Sequence, residues 1–304
     1  MSIHDPIVIT SDMVWERIPV RDPESHKGTY GSVLAICGCE EYRGAAALCT
    51  LGALRSGAGL VTLASSEAVI SSVAGQILEA TFLPVTCQTF LSHPENPAVL
   101  EARSSLLGKL GKSTVCAAGC GKKESPETLR EMMTVLQHAK GTIVLDAGGL
   151  CSLATQGTSF LEEISSCADR LVITPHPGEM AKLTGLSVSD IKKDPASVAL
   201  NFATKTGAVV VLKGHRTIIA APDGSLYKNP TGNAGLARGG SGDVLTGIIA
   251  GLAAQGLSPL DAALCGVWLH GSAADRCASR KSMMGMLPSD ILEDLGQIFL
   301  VNGR

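Results

Sequence analysis

Short apolar runs recur along this chain with helical stretches between them, and that alternation limits the fold more than any other feature. Val33-Leu34-Ala35-Ile36-Cys37 is followed by an Ala/Leu-rich stretch from 44 to 58, then by Leu60-Val61-Thr62-Leu63-Ala64. Strand, helix and strand in that order make a βαβ unit, whose two strands run parallel. Further strands are predicted at 114–118, 143–145, 171–173 and 208–212, with helices at 126–139, near 179–184 and at 195–206. Thr217 to Ala220 and Leu226-Tyr227-Lys228, joined by Pro222-Asp223-Gly224, read as a hairpin. From Ser241 onward the chain reads as helical. With 45% hydrophobic but only 3% aromatic residues, the core suits a sheet covered by helices on both faces. The expectation is one doubly wound α/β domain over residues 1–304.

In such a sheet, ligands lie beyond the carboxyl ends of the strands. The loops that carry polar chemistry follow that rule: 37–44, 118–122, Asp146 and 174–179 each come after a predicted strand. The densest motif is Thr231-Gly232-Asn233-Ala234-Gly235-Leu236-Ala237-Arg238-Gly239-Gly240-Ser241-Gly242-Asp243, which runs into the apolar segment 244–250. Glycines there bring bare amides to a helix start, where unpaired N–H groups and the helix dipole attract phosphate. A carboxylate among those donors opposes a phosphate unless it has work to do, and Asp243 is placed to take a proton from a hydroxyl beside it. The bland alternative is a glycine loop with a capping aspartate.

Other motifs carry less. Gly111-Lys112-Ser113 lacks the glycine a P-loop needs at 106, which is Leu106, and it precedes a strand instead of following one. Two prolines stiffen Thr174-Pro175-His176-Pro177-Gly178-Glu179, which makes His176 either a turn residue or a ligand contact. Lys213 and Arg216 are either a solvated pair or part of a nucleotide loop, and Asp146 is either a strand terminus or a contact to substrate or metal-bound water. The ten cysteines form no C-x-x-C pair, and neither Cys37/Cys39 nor Cys116/Cys120 has a nearby His, so they read as small buried hydrophobes in a reducing cytoplasm. A net charge of −3 gives no footprint for nucleic acid or an anionic membrane, and no signal peptide or membrane-spanning run is expected.

Taken together, Lys27-Gly28-Thr29-Tyr30-Gly31, the run from Gly44 to Val61, Thr174 to Glu179, Lys213-Gly214, Gly239 to Gly247 and Leu269-His270-Gly271 resemble the ADP/ATP-dependent NAD(P)H-hydrate dehydratases. The resemblance implies a ribokinase-like three-layer α/β/α sandwich and repair of hydrated NADH and NADPH by phosphoryl transfer and phosphate loss. It implies Asp243 as base and the amides of Gly240, Ser241 and Gly242 as anion hole. Lys213, Gly214, His215, Arg216, Thr217 and Gly242 would hold the nucleotide, and Ala45, Gly121, His176 and Asp243 the hydrate. It further implies ADP or ATP as co-substrate, with ADP favoured, together with Mg²⁺, no protein metal ligands, and a homotetramer for which the apolar helix near 44–58 would suit an interface. Relatives often carry Asp-Ala-Asp-Ala-Leu where this chain has Asp146-Ala147-Gly148-Gly149-Leu150, a small residue at Arg238 and Pro at Ala234. The epimerase domain fused to many bacterial relatives is absent, so a stand-alone dehydratase is expected. Rival readings are a kinase of a vitamin-precursor alcohol, such as hydroxymethylpyrimidine or hydroxyethylthiazole, and a catalytically silent nucleotide-binding protein.

Overall fold

Among the residues described by the computed structural model, 5–93 and 95–304, the apolar runs become strands of one sheet. These are β1 (Ile7–Val8), β2 (Ser32–Ile36), β3 (Leu60–Ser65), β4 (Thr81–Pro84), β5 (Val115–Ala118), β6 (Thr142–Leu145), β7 (Leu171–Ile173), β8 (Val209–Leu212), β9 (Ile218–Ala220) and β10 (Leu226–Lys228). They lie in the order β1-β10-β9-β8-β7-β6-β5-β2-β3-β4. Every neighbouring pair is parallel except β9, which runs against both β8 and β10 as the hairpin required.

The helices are α1 (Ser11–Trp15), α2 (Arg43–Arg55), α3 (Glu67–Val73), α4 (Pro97–Lys112), α5 (Pro126–His138), α6 (Ala147–Ala154) and α7 (Phe160–Ser165). They continue with α8 (Pro177–Thr184), α9 (Val188–Lys193), α10 (Pro195–Thr206), α11 (Ser241–Ala254), α12 (Pro259–Gly285) and α13 (Pro288–Val301). Alternate residues of each strand feed two separate cores. Val33, Ala35 and Val144 pack on the side of α2, α11, α12 and α13, while Leu34, Ile36, Ile143 and Leu145 pack on the side of α4, α5, α8 and α10. Helices therefore cover both faces, and the strands have no polar side to show. No helix of the described residues is long and apolar enough to cross a membrane.

Register decides where the loops emerge. Ile36 pairs with Ala118, Ala118 with Leu145, and Leu145 with Ile173, so four strands end in one row. The loops after β2, β5, β6 and β7 consequently start side by side.

One face of α2 packs against α11 within the same chain, while Leu48, Leu51 and Leu54 on it remain half-buried. The contact with α11 is close: a Cβ on Gly247 would come 2.2 Å from the Cys49 carbonyl, and one on Gly52 would come 2.7 Å from the Val244 carbonyl. One expectation changes at this level: not all the cysteines are buried hydrophobes. Cys87 is exposed, Cys39 and Cys151 are half-buried, and the other seven are buried. Gly111 and Lys112 fall in the last turn of α4, with Ser113 capping it, which removes any phosphate-loop geometry there.

Candidate active site

The glycine-rich stretch does reach a helix start. Gly240 caps α11 with φ of 97°, a left-handed conformation that glycine adopts without strain, and Asp243 stands in the first turn. Helix N-termini leave their first amides without intrahelical partners. The Ser241 amide is taken, donating to the Arg238 carbonyl at 3.3 Å. Among the described residues the amides of Gly240, Gly242 and Asp243 have no acceptor, so they are the free donors of this turn. The Ser241 hydroxyl beside them is buried and unpartnered. An unsatisfied hydroxyl with free amides around it is a setting for an oxyanion.

Asp146 forms the floor. It is 1% exposed and accepts from Lys213 Nζ at 2.5 Å, from the Thr246 hydroxyl at 2.9 Å and from the Ala147 amide at 2.8 Å. Lys213 Nζ also lies 3.7 Å from Glu179, itself buried. Burial alone would pull the lysine toward neutrality, but Asp146 and Glu179 outweigh it and hold its pKa above the ordinary lysine range. Glu179 is raised, chiefly by burial, with Lys213 opposing. A Cβ on Gly242 would sit 3.2 Å from Lys213 Nζ and 3.4 Å from Asp146 Oδ2, so the buried ammonium abuts the free amides. Lys213 is thus packed into the floor with Asp146 and Glu179, whereas Gly214, His215 and Arg216 form an exposed turn closed by Thr217, whose hydroxyl donates to the Gly214 carbonyl at 3.3 Å.

Asp243 has the most perturbed carboxyl of the site. Burial, then the nearby Cys120 and Asp146, push it up to about 9, with Lys213 opposing. Displaced carboxyl groups in a cleft mark functional sites more often than structural ones. Beneath α11, His270 is buried with Nε2 unpartnered, and burial followed by the Lys213 charge pulls it down to about 4, so its imidazole is neutral. Sequence reasoning quoted His270 as part of a motif but gave it no place. It likewise read Glu179 only as a favourable first-turn residue.

His176 caps α8. Its Nδ1 accepts the amides of Gly178 at 2.9 Å and Glu179 at 3.2 Å, which leaves the proton on Nε2, 3.3 Å from Glu179 Oε1. The ring is exposed at the sheet edge, so the turn residue and the candidate contact are the same residue. Ala45 and Gly121 touch, for a Cβ on Gly121 would come 2.6 Å from that of Ala45. Arg238 is exposed and donates to the Met284 carbonyl at 2.9 Å, which ties the glycine loop to the end of α12. The missing second carboxylate also has a local counterpart. A Cβ on Gly148 would lie 1.9 Å from the Lys122 carbonyl, so the first turn of α6 closes onto the loop after β5 at the position that has glycine here. Ala147, between them, is held at φ of 50°, a strained value for alanine.

The family model for NAD(P)H-hydrate dehydratase matches residues 33–297. A bifunctional NAD(P)H-hydrate repair enzyme Nnr of Moorella thermoacetica is 40% identical over 95% of this chain, which spans 53% of that protein. The ADP-dependent (S)-NAD(P)H-hydrate dehydratase of Bacillus subtilis is 33% identical over 95% of this chain and 96% of its own length. The chain thus spans about half the length of the bifunctional relatives it matches and nearly all of the shorter one. Among solved structures, the B. subtilis ADP/ATP-dependent NAD(P)H-hydrate dehydratase co-crystallised with ATP/Mg²⁺ superposes with a TM-score of 0.80 at 32% identity, covering 98% of this chain and 99% of that one. A ribokinase-like superfamily protein of Enterococcus faecalis gives 0.82 at 25% identity, covering 97% and 96%. The fold is ribokinase-like.

Proposed function

This chain belongs to the NAD(P)H-hydrate dehydratase family, and from that premise we propose that it is a hydro-lyase that restores NADH and NADPH from their S-hydrates at the expense of ADP. The observation that carries the reading is the juxtaposition at the start of α11: free amides, the buried Lys213 ammonium against Gly242, and a carboxyl one residue further on. Asp243 removes the proton of the ring hydroxyl, and that oxygen takes the terminal phosphoryl group of the nucleotide. Charge that builds on the phosphoryl oxygens is met by the amides of Gly240, Gly242 and Asp243 and by the field of Lys213, in a setting that needs no reorganisation at the moment of transfer. The phosphate ester is then a better leaving group than hydroxide: it departs with the C–O electron pair, the neighbouring ring carbon loses a proton to solvent, and the freed C–H electron pair forms the double bond.

Gly214, His215, Arg216 and Thr217 hold the nucleotide in this reading, and Ala45, Gly121 and His176 border the hydrate. Mg²⁺ enters with the nucleotide, where it neutralises phosphate charge. Among the described residues no three carboxylate or imidazole groups converge on one point, and Asp146 is already engaged by Lys213 and Thr246. We further propose that the 304 residues act as one unit, as a homo-oligomer of the tetramer class. The cytoplasm is the compartment proposed, on the strength of ten cysteines read as thiols.

Mixing the protein with hydrated NADH, Mg²⁺ and either ADP or ATP, and following absorbance in the reduced-nicotinamide band, tests the reading. Recovery of the band with ADP is expected. Flat traces with both nucleotides would overturn it, and phosphorylation of a thiazole or pyrimidine alcohol instead would establish a kinase.

A further inference from the structure

Three thiols from separate parts of the chain meet directly under the proposed base. Cys37 follows β2, Cys49 lies in the middle of α2, and Cys120 stands in the loop after β5 between Gly119 and Gly121. Their sulfurs all lie within 4.8 Å of one another, and all three residues are at most 1% exposed. The frame around them is tight. The Gly38 amide donates to the Cys120 carbonyl at 2.8 Å, and the Cys49 carbonyl is pressed against Gly247 of α11. Asp146 Oδ2 is 4.0 Å from the Cys120 sulfur, on the side of the cluster that faces the anion floor.

Small buried hydrophobes have no reason to aim three sulfurs at one point. A zinc ion holds thiolate sulfurs at about 2.3 Å, which sets them roughly 4 Å from each other. Sulfurs within 4.8 Å of one another are already close to that spacing. We propose that Cys37, Cys49 and Cys120 form a binding site for a single thiophilic divalent cation of the zinc and cadmium class, and that filling it stops the reaction at Asp243. Hard cations are excluded by the sulfur donors. A divalent ion is favoured over a monovalent one because three thiolates then leave the smaller net charge in a buried site already flanked by Asp146 and Asp243. On binding, each S–H bond breaks, its proton passes to solvent, and the sulfur lone pair forms one S–metal bond, so nothing is oxidised or reduced. The half-buried Asp243 lies beside Cys120, so an ion held by the three sulfurs sits next to the base and its charge draws the carboxylate away from a hydroxyl.

The binding half stands on its own, whereas the inhibition half rests on the reaction proposed above, so the two are read separately. The intact chain, reduced with a phosphine, is titrated with Cd²⁺ alone under exclusion of oxygen, and thiolate-to-metal charge-transfer absorption is followed. Saturation at one ion per chain is expected, with displacement by excess Zn²⁺. Replacing the less buried thiols together (Cys39→Ser, Cys87→Ser and Cys151→Ser) should leave the signal intact, and Cys49→Ala should abolish it. X-ray absorption of the Cd²⁺ form of the unaltered chain counts sulfur ligands whether or not Cys49→Ala folds, and three are expected. No charge-transfer signal at one equivalent, its loss in the Cys39/Cys87/Cys151 variant, or a shell dominated by oxygen and nitrogen would overturn the site. Turnover should fall at least tenfold with bound Zn²⁺ in the unaltered chain and be unaffected by it in Cys49→Ala. Full turnover with the ion bound would overturn the inhibition while leaving the site, and a metal-free chain without turnover would instead count against the dehydratase reading.

Discussion

At the scale of single residues, the fold opposes ionisation of Asp243 but holds Lys213 charged. A carboxyl raised from 3.8 to about 9 keeps its proton in the folded chain where the unfolded chain has lost it. Folding stability from this group is therefore present at acid pH and declines as pH rises from about 4 to about 9. Asp243→Asn removes the decline, so the variant should be more stable at neutral pH by on the order of 2–4 kcal/mol, with the gain growing toward alkaline pH and vanishing near pH 4. It should also lose turnover while binding ADP as before, and kcat/KM of the unaltered protein should climb with pH well above the ordinary carboxylate range. Denaturant titrations across pH, set beside a pH–rate profile, check both halves, and a variant that stays active would remove Asp243 from the reaction. Lys213 has the opposite liability. Lys213→Met strands Asp146 at 1% exposure beside the buried Glu179, and should cost about 3–5 kcal/mol. Adding Asp146→Asn to it should restore part of that loss, which a double-mutant cycle would read as coupling.

At the scale of elements, the site depends on how closely α2 lies on α11. Ala45 and Cys49 ride on one helix and Asp243 on the other, and the Cys49 carbonyl fits against bare Gly247. Gly247→Ala would put a carbon 2.2 Å from that oxygen, so one helix must move. The expected result is a loss of about 1–3 kcal/mol in urea unfolding, with kcat falling further than nucleotide affinity. An unchanged stability would mean the helices have slack that the geometry does not suggest. Elements of this kind differ in how far the sequence displays them. Strands β2, β3 and β5 to β8 are visible because burial on both faces makes them continuous apolar runs. The edge strands β1 and β4 are short and partly exposed, so they carry no such run, and α4 is amphipathic but starts amid polar residues. The motif at 239–243 is legible because glycine and aspartate at a helix start have one good physical reason. The Cys37, Cys49 and Cys120 cluster is not, since local spacing pairs Cys37 with Cys39 and Cys116 with Cys120, and only the β2–β5 register and the α2–α11 seam bring the right three together. Lys213 reads as a loop cation for the same reason: its partner Asp146 follows β6 and its partner Glu179 stands in α8, far away in sequence.

At the scale of the whole molecule, every loop of the site is rooted in one sheet, with strand ends from β2 to β7 in a single row. A ligand that bridges the amides of α11 and the exposed turn after β8 therefore bears on β8, β6 and both helical layers at once. Nothing in the topology isolates a part that can unfold while the site survives. Trp15 and Trp268, edge to face at 6.1 Å, pack on the α11 side, so their fluorescence reports one layer while far-UV circular dichroism reports all three. The two signals should give coincident denaturation curves, as expected for a single cooperative unit. ADP at about a hundred times its Kd should then shift both curves by the same amount, close to 2.7 kcal/mol, because binding to the folded state alone stabilises by mass action. Separate midpoints for the two probes would divide the chain into independently folding parts. A shift seen by fluorescence but not by dichroism would confine the nucleotide's effect to the α11 layer, and would refute the argument that the row of strand ends couples the site to the entire sheet.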